Sequence, residues 1–600
     1  MAATPRQSIF NVPELVGLVA QYLSNHDIAR CMKTCKAWTP LFKPYIWQDI
    51  ELDSYHPAPK KALAQNRHRI RSLRIASDDF ANLRTLAADL PDTPFSAPSQ
   101  EPRDSTRSSI ATGNYIFQNL RILHIDCGSW DNASDLNSLC LDYVLRILHQ
   151  SPGLLQLTPP DDILGDSVTS KQTESFLYTL AHKLPCIKGL DIQGGGVPPK
   201  MALKFLRVCL NHPQLANLHC RFFIEGIRGV HRYFSPEDIQ LFNSFTTSME
   251  DGKKAKKAKK ATGKPTGSTI KSLLLPGTTG GYPPNFFCGL LRSCLPNLEL
   301  FHIPEVGGNR DPSFVESLRD AVAQGCPKLQ HLRYPWYDED PKNYDVINGI
   351  VEGCKEWGLK SFYCEKLRDG YGDQRIMATL LSNHSNTLEE VELVNCRHAN
   401  PGDLLDLFSC RNLKKAKIQQ RGDGNAAIEL QTVEFKCHDL KELQLSIVQP
   451  AMNPQTDDFG EEEEEEHEAL LPGGRHERFG RWVRRKAEEA YTEIGSLSKL
   501  ESLSLGCAKR DYRGFSVSGH ERDFTLEHGW LRKLAGLKEL KRLHMVTDFW
   551  SEMGQAEVEF MDAQWPKLER IEFNSTNRKA IVAKPHWQWL QKRRPQLTYC

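Results

Sequence analysis

The sequence predicts an α/β protein in which a small helical module is followed by a curved repeat solenoid, with parallel strands on the concave face and helices on the convex face. Three observations carry that expectation. Two apolar stripes at helical spacing occupy the N-terminal stretch, one short apolar phrase recurs along the rest, and helical patterns alternate with the phrase in a fixed order.

In the first stripe, Leu15, Leu18, Val19, Tyr22 and Leu23 fall on one face of a helix of period 3.6. Pro13 sits at a first helical position, where its missing N–H has no partner to lose. The second stripe runs Ile28, Cys31, Met32 and Cys35, and Ser24 with Asp27 three residues on forms a capping box at its start. So small a unit cannot bury a core by itself; it either caps the repeats behind it, as terminal units of stacked arrays do, or docks on a partner.

The phrase is Leu-x-x-Leu-x-Ile in generalised form. It runs from Leu120, Leu123 and Ile125 through Leu329, Leu332 and Tyr334, and Leu388, Val391 and Leu393, to Leu568, Ile571 and Phe573. Neighbouring phrases lie about 25 to 30 residues apart, with irregular units near Leu154, Leu215, Leu413 and Leu430. Between them come helical patterns such as Phe314, Leu318 and Val322, closed by turns such as Gly325-Cys326-Pro327. One such unit leaves an apolar face uncovered, and stacked units share a continuous core.

The expected organisation is a helical module over residues 8–50 and a solenoid over 68–590, with insertions at about 91–113, 248–268 and 451–475. The first insertion is rich in Ser, Pro, Asp and Thr. The Lys-rich run at 253–260 fits a nuclear-import signal or an anion-binding patch, and fits a solvated linker better. The acidic run at 461–466 precedes a basic helical stretch and reads as a repeat-edge insertion.

At 600 residues and 40% hydrophobic, the chain can bury a large core. A net charge of +1 gives no global field for nucleic acid or an anionic membrane. No stretch approaches a membrane span, and the N-terminus lacks the order of a signal peptide. The 17 cysteines lack the close pairing of a zinc framework, so reduced, buried thiols in the cytosol or nucleus are expected.

No catalytic constellation emerges. Gly422-x-Gly424 lacks its third glycine, residues 277–281 lack the Lys-Ser or Lys-Thr of a phosphate loop, and there is neither a His-Glu-x-x-His nor a Gly-x-Ser-x-Gly. No cysteine and histidine cluster forms a RING. The expectation is a non-enzyme without cofactor or metal.

Residues 10–47 resemble the F-box, with Pro13-Glu14-Leu15 at the opening, Leu-x-x-x-Asp-Ile at Leu23 to Ile28, and Cys35-Lys36-x-Trp38 before Tyr45-Ile46-Trp47. Val12 stands where that family usually has Leu, and Pro40 and Pro44 crowd the third helix. The repeats resemble the leucine-rich repeats that accompany many F-boxes, of a cysteine-containing kind, since Cys294, Cys326, Cys354 and Cys396 recur near unit boundaries.

The resemblance implies that the chain binds the Skp-type adaptor of a cullin-RING ubiquitin ligase and holds a protein target on the repeats, as a substrate receptor. Pro13, Glu14, Leu15, Val19, Leu23, Ile28, Cys35 and Trp38 would then lie at or behind the adaptor interface. The alternative is a repeat scaffold whose N-terminal helices only cap the array.

Side chains alternate along a strand, so the residue between the last two apolar positions of each phrase points away from the core. These are His124, Asp191, His302, Arg333, Tyr363, Glu392, Gln444, Ser504, His544 and Glu572, expected to line the concave face. Their mixed chemistry suits a protein or peptide rather than a phosphate backbone. Tyr334, Trp336 and Tyr337 at one strand exit and Phe549-Trp550 at another fit loop packing or aromatic anchors. The residues expected to contact a target are Arg333, Tyr334, Trp336, Tyr337, Tyr363, Glu392, His544 and Trp550.

Overall fold

The computed structural model describes residues 12–52, 60–76, 80–88, 90, 115–126, 134–161, 163–165, 168–224, 237, 239–245, 268–278, 282–304, 312–334, 343–365, 371–394, 406–419, 435–446, 488–506, 526, 530–545, 553–573 and 578–600. The insertions expected at 91–113 and 451–475, and all but residue 268 of the one at 248–268, lie outside the described residues. The chain forms two compact units, Met1–Asn309 and Arg310–Cys600.

The first unit opens with α1 (Pro13–Gln21), which starts on its proline, and α2 (Asn25–Thr34). The Ser24 hydroxyl accepts the Asp27 N–H at 3.2 Å and donates to the Asp27 carboxylate at 2.6 Å, which caps α2 and holds that carboxyl below its usual range. The two prolines start elements rather than break them. Pro40 lies in the first turn of α3 (Thr39–Phe42), and Pro44 precedes the 3-10 turn Tyr45–Trp47.

Val16, Ala20, Ile28 and Phe42 form a small buried core, with Leu23, Met32, Trp38 and Tyr45 packed partly buried around it. The chain then passes directly into β1 (Asp49–Leu52), which pairs in parallel with β2 (Ser72–Ile75), Asp49 opposite Ser72. The module therefore leans on the repeats through a shared sheet.

From there the first unit adds β3 (Ile122–Ile125), β4 (Gln156–Thr158), β5 (Gly189–Val197), β6 (Asn217–Ile224) and β7 (Ser272–Leu274), each parallel to its predecessor. The short β8 (Gly277–Thr278) lies beside β6, and β9 (Leu300–His302) beside β7. Parallel neighbours require a crossover, and helices such as Ser134–His149, Ser170–His182 and Pro199–Asn211 supply it.

The second unit repeats the plan through β10 (His331–Tyr334), β11 (Ser361–Cys364), β12 (Glu390–Val394), β13 (Lys415–Gln419), β14 (Glu442–Ser446), β15 (Ser502–Gly506), β16 (Arg542–Met545), β17 (Arg570–Phe573) and β18 (Thr598–Tyr599). Every successive pair is parallel. The expected α/β class with a parallel repeat sheet is what the chain adopts.

The phrase positions make the core. Leu332, Val391, Leu443, Leu503, Leu543 and Ile571 occupy one register position on their strands and are fully buried. Burying one such side chain contributes about 1.5–3 kcal/mol. Tyr334 belongs to this set and not to the exposed cluster expected of it. It is 4% exposed and in register with the buried Cys364, because it fills the last apolar position of its phrase.

A single turn leads into many strands. The first apolar residue of the phrase donates its N–H to the carbonyl three residues back, as Leu298 does to Leu295, Leu329 to Cys326, Leu413 to Cys410 and Leu440 to Cys437, at 3.0 to 3.1 Å. The residue opening this turn is buried, which suits the cysteines at Cys326, Cys410 and Cys437. Burial pushes the Cys410 thiol up to about 11 and the Cys437 thiol to about 12, so both stay protonated and inert. Cys294 and Cys354 are likewise buried, and Cys396 lies outside the described residues.

Candidate functional site

This architecture presents two surfaces. The first is the outer face of α1. Val16 and Ala20 turn inward, which leaves Val12, Leu15, Leu18, Val19 and Tyr22 on the other side, with Leu18 53% and Tyr22 88% exposed. A helix apolar on two faces has one more than its own core can cover. Glu14 is exposed in the first turn, where a negative charge suits the helix dipole.

Of the other residues expected at this surface, Pro13 begins α1, Leu23 and Trp38 are partly buried against the small core, and Cys35 is half-buried at the end of α2. Trp38 meets Phe42 edge to face with ring centroids 6.4 Å apart. Ile28 is 2% exposed and is a core residue. Leu15 and Val19 are therefore the open apolar members of the expected set, beside the exposed Glu14. Val12, Leu18 and Tyr22 were not expected contacts, and the signal for them is the second apolar face that Val16 and Ala20 create.

The second surface is the outward row of each sheet. In the first unit His124 sits beside Arg74, and Asp191 beside His219. The His219 imidazole is 3.2 Å from the Ser272 hydroxyl, and its ring lies 5.7 Å from that of His302. Arg221 reaches Asp191 at 3.3 Å.

In the second unit the register aligns Arg333, Tyr363, Glu392, Lys417, Gln444, Ser504, His544 and Glu572 in one row. Arg333, Tyr363 and Glu392 come together on adjacent strands, the guanidinium 5.6 Å from the centre of the tyrosine ring. Burial, then the carboxylates of Glu365 and Glu392, push the Tyr363 hydroxyl up. His544 lies four strands further on and bonds the Ser504 hydroxyl at 2.8 Å, its imidazole lowered by burial. It does not join the other three. Trp336, Tyr337 and Trp550 lie outside the described residues.

The charges in this row are answered within the sheet. Lys415 reaches Glu392 at 3.7 Å, Lys417 reaches Glu442 at 3.5 Å and Arg570 reaches Glu572 at 2.7 Å. Among the described residues no group of three His, Cys, Asp or Glu side chains is placed to hold a metal, and no helix is long and apolar enough to cross a membrane. The arrangement offers recognition chemistry: hydrogen-bonding groups, a cation over an aromatic ring, and paired charges on a rigid scaffold.

No protein-family model matches the chain, and no curated relative is found. Among solved structures, a chain in the crystal structure of the Rad7 and Elc1 complex in yeast is similar, at 13% identity over 76% of this chain and 77% of that one, with a TM-score of 0.33. A likeness that distant bears on neither partners nor activity.

Proposed function

We propose that this chain is the substrate-recognition subunit of a cullin-RING ubiquitin ligase, with α1 seated on a Skp-type adaptor and a protein target held on the outward rows of the repeats. The observation that carries the reading is the solvent-facing apolar stripe of Leu15, Leu18, Val19 and Tyr22 on a helix whose inner face is already occupied. Exposed apolar residues at that spacing suit an interface in which a helix lies in a groove. The motif at residues 10–47 supplies the kind of groove.

On this reading the chain performs no chemistry of its own. It raises the local concentration of target lysines near a conjugating enzyme that the complex supplies. Arg333, Tyr363 and Glu392 are the described residues best placed to read a target, with Trp336, Tyr337 and Trp550 as further anchors. The free cysteines suit the reducing cytosol or nucleus.

One observation favours the second reading, a scaffold whose helices only cap the array, because β1 joins the module to the sheet. Size-exclusion chromatography of the full chain with a purified Skp-type adaptor separates the two. The intact chain should co-elute and Leu15→Asp should not, with both melting at the same temperature. If the intact chain stays apart from the adaptor where another F-box protein binds it, the capping role is left standing.

A further inference from the structure

From a cavity beside the first strands we infer that the first unit binds a peptide whose acidic side chain, carboxylate or phosphate, is flanked by an apolar residue. The cavity measures about 280 Å³ and lies between the α1–α2 turn and the start of β2 and β3. Arg71 and Arg121 are in its lining, together with the apolar Leu23, Ile28 and Ile122.

The two arginines immediately precede successive strands. The Arg121 N–H donates to the Arg71 carbonyl at 2.7 Å, and the Arg71 N–H to the Gln48 carbonyl at 2.7 Å, so adjacent rungs set the two side chains about 4.8 Å apart at their roots. Like charges side by side on a sheet repel. Arg121 cannot swing away freely, because its guanidinium donates to the Gly153 carbonyl at 2.7 Å, in a space that a Cβ on Gly153 would fill.

Arg71 has neither an ion pair nor a side-chain hydrogen bond among the described residues. The nearby Arg74 shows what a satisfied arginine looks like in this sheet, with Glu51 at 3.7 Å and Asp126 at 3.6 Å.

Asp49 lines the same cavity and offsets one of the two charges, leaving an excess of one positive charge for a ligand. The Ser72 hydroxyl and the Gln48 amide in the lining are further donors for an oxyanion. Ile122 is 39% exposed at the start of a strand whose Leu123 and Ile125 are core, and it gives an apolar neighbour a place to rest. A guanidinium pair recognises carboxylate and phosphate alike, so the source of the anion is left to the test.

The test uses the full-length protein and three randomised hexapeptide libraries in which one central position is fixed as Glu, phosphoserine or Gln. The intact protein should enrich the Glu or the phosphoserine library over the Gln library, with apolar residues next to the fixed position, and which of the two wins identifies the anion. Arg71→Ala, which removes a side chain with no hydrogen bond or ion pair among the described residues, should lower the affinity of the selected peptides about tenfold while melting as the intact protein does. Lys188→Ala, two rungs beyond Arg121, should leave affinity within about twofold. Leu15→Asp should retain peptide binding, which keeps this site distinct from the adaptor surface. Equal retention of all three libraries, or unchanged affinity in Arg71→Ala, overturns the inference.

Discussion

Arg594 and Asp562 form a nearly buried ion pair, Nε to Oδ1 at 2.6 Å, and the same guanidinium donates to the Trp565 carbonyl at 2.7 Å and to the Asp562 carbonyl. One side chain thus satisfies the open end of the helix Gln555–Gln564 and fixes the turn that leads into β18. Removing one member of such a pair strands the other charge. Arg594→Met should cost about 3–5 kcal/mol, read as a lower urea midpoint in the fluorescence of the buried Trp565 and Trp587. Arg593 also reaches Asp562, but its side chain is 63% exposed, and Arg593→Met should cost less than about 1 kcal/mol.

His384 is held neutral. Its Nδ1 accepts the Leu359 N–H at 3.2 Å, so Nε2 must donate to the Val351 carbonyl at 2.9 Å. His212 makes the same pair of bonds to the Gln214 N–H and the Leu184 carbonyl. Burial lowers both imidazoles from their ordinary 6.5. The unfolded chain then takes up protons that the folded one refuses, so stability is full above pH 6.5 and falls as pH drops below it. At one pH unit below that value the loss is at most about 1.4 kcal/mol per histidine. Melting temperatures measured from pH 7.5 to 5.5 should fall, and His384→Ala should start lower and fall less steeply. A flat profile in the intact protein would contradict this.

The two sides of α1 should respond differently to truncation. Ile28→Ala opens a hole in a four-residue core and should cost about 2–4 kcal/mol, seen as faster amide exchange throughout α1 and α2. Leu15→Ala removes surface that is already wet and should change exchange by less than about 0.5 kcal/mol. Equal effects at the two positions would mean that the outer face is part of the core.

The repeat architecture was legible because the phrase fixes two things at once. Its apolar positions name the strand, and the residue between them names the outward row, so Arg333, Tyr363 and Glu392 could be placed side by side from the phrase alone. The Ser24 cap was legible for a similar reason, since a hydroxyl three residues before an acid has one local use. Lys417 and His219 escaped notice. Both belong to the irregular units near Leu413 and Leu215, and the strand of Lys417 carries Ala416 where the phrase has Leu. Tyr334 shows the reverse error, in which aromatic character outweighed a strand position that already assigned it inward. The cavity holding Arg71 and Arg121 was invisible because its walls are far apart in sequence and meet only when strands stack.

β1 is the feature with the widest reach. It starts where the helices stop, yet its backbone completes the pairing of Ser72–Ile75. A chain cut back to its repeats would bare a row of unpaired amides and carbonyls there, an edge prone to self-association. The front helices cannot then be treated as a detachable cassette, because removing them changes the colloidal behaviour of everything behind them. Any truncation meant to isolate target recognition has to keep this strand as its stopper.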